Sequence, residues 1–138
     1  MSRARPLRSL SLFIALMPTT LPVFADAPLP LGAFGHDAIH PAWTIEAAQQ
    51  GYLATALSGN DAQPVFELTE AGRVALWKRL QWPEATAANA RCLGNMLDTF
   101  CQVGEGAMDH IAVLRQGGSR YFHYDRAHGS EAIHPITR

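Results

Sequence analysis

Cysteine is nearly absent: Cys92 and Cys101 are the only two in 138 residues, so no cysteine-based metal motif is available. Basic residues are few, with eleven Lys and Arg against twelve Asp and Glu. No apolar run is long enough to span about 30 Å of hydrocarbon as a helix of about 20 residues. No Gly-x-Ser-x-Gly elbow occurs, and a search for a nucleophile, a base and an orienting group finds no triad. The chain has no internal repeat and no low-complexity segment. These absences speak against an enzyme and against a membrane-spanning protein.

What is present begins with an export-type address. Arg3, Arg5 and Arg8 precede an apolar stretch from Leu10 to Phe24, interrupted by Pro18, and Val23-Phe24-Ala25 supplies a cleavage site. Residues 1–25 read as a signal peptide. No cysteine follows it to carry a lipid, and no Arg-Arg pair marks the twin-arginine route. The expected location is the periplasm or the exterior of a bacterial cell, with no stable membrane anchor after cleavage. Residues 26–138 then form one exported domain of 113 residues. All three basic residues of the leader are lost and no acidic one is, leaving eight basic against twelve acidic residues, a net charge of −4. Such a balance argues against nucleic acid, which is bound by neutralising phosphates with Lys and Arg.

In that compartment Cys92 and Cys101 read first as a disulfide, a short cross-link contributing about 2–3 kcal/mol; the alternative is a continuous helix with two free thiols. Residues nine apart on one helix lie about 13 Å apart, whereas the bond needs Cα atoms within ~7 Å. The chain must therefore bend between them, and Gly94-Asn95 is the place.

Local patterns predict an α+β fold, a small single domain with helices packed on short antiparallel hairpins. Residues 26–40 read as an irregular lead-in, rich in Pro and Gly. Pro41 opens a helix running to about Gln50, with Trp43 and Ala47 on one face. Tyr52–Leu57 and Gln63–Leu68 read as strands joined by Ser58-Gly59-Asn60-Asp61. Thr69 caps a helix from Glu70 to about Gln81, ended by Pro83. Helix is expected again over Ala85–Cys92 and Met96–Phe100. Residues 110–115 and 120–125 read as a hairpin turning at Gly117-Gly118, which places Val113 opposite Phe122 and His110 opposite Asp125. Residues 128–138 read as irregular.

This hairpin supplies both candidate sites. Its tip, Gly117, Gly118, Ser119, Arg120 and Tyr121, is a protruding loop with an aromatic and an arginine of the kind that anchors protein interfaces. The first expectation is thus a non-catalytic protein-binding module of the bacterial envelope, of inhibitor, immunity or adaptor type. Trp82 and Tyr121 are the aromatics expected at the surface. The alternative is a metal-binding protein, with His110, His123 and Asp125 holding zinc or copper. His36 and His40 share the i, i+4 spacing of a helical ligand pair, but the glycines around them and Pro41 disfavour a helix.

Two short segments resemble known families. Residues 41–80, with Phe66-Glu-Leu-Thr-Glu-Ala-Gly-Arg73 at the end of the wing, resemble winged-helix regulators over about a third of the chain, which implies DNA binding. Gly117-Gly-Ser-Arg-Tyr121 is similar to the Ser-Gly-x-x-Tyr loop of periplasmic lysozyme inhibitors. It departs from that loop in carrying Gly117 where the motif has serine. This second likeness implies a mostly β protein whose loop enters the lysozyme cleft.

Overall fold

A computed structural model describes residues 27–137; the expected leader lies outside them. Eight antiparallel strands, each hydrogen-bonded to the next and the last to the first, form a closed barrel. They are β1 (Gly32–Gly35), β2 (Trp43–Ala48), β3 (Gly51–Ala56), β4 (Asp61–Glu67), β5 (Arg91–Gly94), β6 (Asp98–Gln102), β7 (Tyr121–Asp125) and β8 (Gly129–Pro135). Helix α1 (Glu70–Leu80) and a 3₁₀ turn (Glu84–Ala87) join β4 to β5, and a 3₁₀ turn (Ala107–His110) with helix α2 (Ala112–Gly117) joins β6 to β7.

Side chains alternate across each strand, and the barrel has two cores. Phe34, Ile45, Ala54, Val65, Leu93, Phe100 and Ile133 pack together as one buried cluster, one residue from each strand except β7, with Tyr121 of β7 against them. These form the interior. The second core lies outside. Register aligns Cys92 with Cys101, Cys101 with Phe122, and Phe122 with Ala132 in one row across four strands. Trp77 and Leu76 of α1 and Leu114 of α2 belong to the cluster that covers this row. Trp77, Trp82 and Phe122 meet edge to face, with centroids 4.8–5.6 Å apart. Cys92 and Cys101 are bonded as expected, with Cα atoms 4.1 Å apart, and the bend is the β5–β6 turn.

The barrel corrects the expectation of helices packed on hairpins. The Tyr52–Leu57 and Gln63–Leu68 strands and the Thr69-capped helix match. Thr69 Oγ1 accepts from the Gly72 amide at 3.1 Å. The 41–50 segment is strand β2, because Trp43 and Ile45 alternate with Thr44 and Glu46 at period two. That change also removes the winged-helix order. Of the helix expected over Ala85–Cys92 only the 3₁₀ turn forms, and 96–100 falls in the β5–β6 turn and β6. Strands β5 and β6 are short and buried on both faces, so their sequence lacks the alternation that would separate strand from helix. The expected irregular ends contain β1 and β8, which pair with each other.

The 110–125 hairpin does not form. Ile111 and Leu114 lie one helical turn apart and both are buried, so the first arm is helical. The glycines have other work than a hairpin turn. Gly118 is the left-handed C-cap of α2 at φ 65°, a common helix stop. Gly117 is the close-approach point of α2 on β8, since a Cβ there would lie 2.6 Å from the Ala132 Cβ. Gly117→Val is therefore expected to cost about 1–3 kcal/mol by overpacking, and Ala132→Gly in the same chain to recover part of the loss. Urea unfolding of the two single variants and the double variant checks this; additive effects would place Gly117 elsewhere.

Candidate functional site

Strand direction sorts the loops. Both helical connections leave from one end of the barrel. The opposite end carries four short turns, covering residues 36–42, 57–60, 95–97 and 126–128. Inside that second end lies a polar cluster built by cross-strand register. Phe100 pairs with His123, Asp98 with Asp125, and His123 with Glu131, so all share the inward face.

His123 is the centre. Only 4% of its surface is exposed, and its ring packs against Trp43 at 4.8 Å and Phe100 at 4.9 Å. Nε2 lies 2.7 Å from Asp98 Oδ1. Nδ1 has no hydrogen-bond partner; Glu131 Oε2 is 3.6 Å away. The other Glu131 oxygen is 2.8 Å from His36 Nδ1, and His36 lies against Trp43, with ring centroids 5.1 Å apart. Asp125 Oδ1 accepts from the His128 backbone N–H at 2.7 Å and lies 3.0 Å from its Nδ1. Ligand atoms of Asp98, His123 and Asp125 all fall within 4.8 Å of one another.

The electrostatics follow from these contacts. Burial alone would raise the Asp125 carboxyl, but the His128 backbone N–H and ring outweigh it and hold the group below the ordinary carboxylate range. Asp37, in the first turn, is held far below that range by the His40 side chain and by the His40 and Ile39 amides, which fixes the turn beside the mouth. At the opposite end Arg91 grips Glu67 with two hydrogen bonds of 2.8 and 2.9 Å, and this pairing lowers the Glu67 carboxyl.

The sequence candidates are redistributed. His123 and Asp125 meet as expected. His110 closes the 3₁₀ turn after β6 and is not opposite Asp125; Asp98 holds that place. Ser119 is buried, its hydroxyl bonded to the Ile133 carbonyl, and the Arg120 guanidinium clamps the Val103 carbonyl at 3.2 Å from both Nε and Nη2. Tyr121 packs on Phe34 at 5.1 Å. Gly117–Tyr121 is thus a helix-to-strand turn rather than a protruding tip, and Tyr121 and Trp82 are half-buried rather than exposed. Asp98, Glu131 and His36 were not legible as partners, because they become neighbours only through β6–β7, β7–β8 and β1–β8 pairing.

No family model, curated protein or solved structure matches this chain.

Asp125 should titrate below the ordinary value of about 3.9, and His128→Ala should raise it part of the way, since the backbone N–H remains. A carboxyl depressed in the folded state stabilises the fold above its unfolded value and loses that contribution as pH falls through the folded one. The His128-dependent part of stability is thus expected in full above about pH 4 and to fade as pH falls further, through the depressed folded value. Carboxyl-carbon NMR titration of both forms measures the shift; identical Asp125 titrations would contradict the assignment.

Proposed function

We propose that this chain is an exported, non-catalytic protein-binding module, and that it binds through the four-turn end of the barrel. One observation carries the reading. Among the described residues, the exposed large apolar side chains are Leu31, Ile39, Leu57, Phe66, Met96 and Leu97, and Ile39, Leu57, Met96 and Leu97 all sit on turns of that end. Met96 is 96% exposed and Leu97 63%. Scattered exposed apolar residues are ordinary, whereas a concentration rimmed by polar groups marks an interaction surface. Asp37 and Asp61 belong to the same end as Arg126, so polar groups of both signs rim the apolar turns and the partner presents an apolar surface bordered by polar side chains.

This reading keeps the class of function expected from the sequence and moves its surface. The mostly β fold implied by the likeness to lysozyme inhibitors agrees with a barrel. The residues carrying that likeness, Ser119 and Arg120, are bound to backbone carbonyls and are poorly placed to enter a cleft. The side chains of Ile39, Leu57, Met96 and Leu97 are instead exposed on their turns.

A photo-crosslinking residue placed at Met96, in the native host, should give one discrete protein adduct. The same probe at Gln116 on α2, or at Glu46 on the barrel wall, should not. An adduct from Gln116 with none from Met96 would return the binding surface to the 115–124 segment.

A further inference from the structure

We propose that Asp98, His123 and Asp125 bind one divalent first-row metal ion of the zinc class at the mouth of the barrel, with Glu131 supporting the histidine from behind. The argument starts from the buried imidazole. A neutral ring carries one N–H and one bare acceptor. With the proton on Nε2, Asp98 is satisfied, but Nδ1 is then a buried acceptor facing another acceptor, Glu131, at 3.6 Å. With the proton on Nδ1, Glu131 faces a donor, but the Nε2 lone pair then confronts the Asp98 carboxylate at 2.7 Å and needs a cation between them. A second proton would resolve both sides as an imidazolium, and so does a metal ion on Nε2. It produces the carboxylate–histidine–metal arrangement in which the second ring N–H points to a carboxylate.

The surroundings favour a cation in a second way. Three carboxylates, Asp98, Asp125 and Glu131, converge here. Among the described ion pairs their partners are only the imidazoles of His36, His123 and His128. No Lys or Arg is among those partners, so no fixed positive charge fills the place a metal would take.

The donor set fits. Two carboxylate oxygens and one imidazole nitrogen suit a borderline divalent ion with positions left for water. His123 is held in place by Trp43 and Phe100 before any ion arrives. In a closed tetrahedral site with bonds of about 2.0 Å, ligand atoms lie about 3.3 Å apart, so Asp98 must draw back from the 2.7 Å it now holds to Nε2 to admit the ion, while Asp125 closes inward from within the 4.8 Å span of the cluster. They have room to do so, since the Asp98 side chain is 36% exposed and that of Asp125 21%.

Calorimetric titration of the disulfide-bonded protein with Zn²⁺ alone tests the site. One ion per chain is expected, with affinity falling between pH 7 and pH 5 as protons compete. Asp98→Asn and Asp125→Asn should each weaken binding at least about tenfold, and Glu131→Gln by about tenfold through the lost support. His110→Gln should bind as the parent does. In the unsubstituted protein, Zn²⁺ should shift the ring-nitrogen resonances of His123 and leave those of His110 in place, a readout that requires no variant to fold. Equal affinity of the parent and Asp98→Asn, unmoved His123 resonances, or equal loss in His110→Gln would overturn the proposal. The first two results would leave a proton as the occupant between Nε2 and Asp98.

Discussion

Two narrow seams hold this molecule closed. Strands β1–β4 form one meander and β5–β8 another. They join only where Phe66 and Glu67 meet Gly94 and Leu93, and where Phe34 and Gly35 meet Pro135 and His134. Each seam has just two registered pairs, so each is reinforced. At the first, Arg91 binds Glu67 and the Leu68 amide donates to the Cys92 carbonyl at 3.0 Å. At the second, Ile136 donates to Ala33 at 2.9 Å and His36 meets Glu131. Closure removes the exposed strand edges that an open eight-stranded sheet would present for aggregation.

The second seam also completes the mouth. Glu131 reaches His123 within β7–β8 pairing, but His36 reaches Glu131 only because β1 closes onto β8. Trp43 of β2 then stacks on both histidines. A buried imidazole is thereby held among three carboxylates at the end where the turns are short and apolar. The outer row of Cys92, Cys101, Phe122 and Ala132, covered by α1 and α2, braces the wall from which Asp98, His123 and Asp125 project. The disulfide ties β5 to β6 within that wall.

Much of the local structure was legible in the sequence, and little of the architecture. The Thr69 cap, the 58–61 turn and the two strands beside it follow from near-neighbour chemistry, and the disulfide from the even cysteine pair and the expected compartment. The barrel does not, because its strands are four to seven residues long and most present one fully buried apolar side chain to the interior. Gly117-Gly118 misled for a physical reason: the same pair serves a hairpin turn or a helix end packed tightly on a neighbour. The difference lies in Ala132, fifteen residues on. His123 and Asp125 were legible as a pair two apart on one strand face. Asp98, Glu131 and His36 were not, since Asp98 and Glu131 come from other strands and His36 from the turn after β1, and no local signal announces register. The expected leader at residues 1–25 lies outside the described residues, and export is a reading of the sequence pattern alone.

The account stands on closure. The most direct measurement is a backbone NOE map of the oxidised protein, read at the β1–β8 seam. Contacts between Gly35 and His134 and between Phe34 and Pro135, with the Ile136 amide protected from exchange, are the expected result. Absence of those contacts, with Val113 instead opposite Phe122, would restore the hairpin and open the barrel, and the mouth would lose the partners that define it.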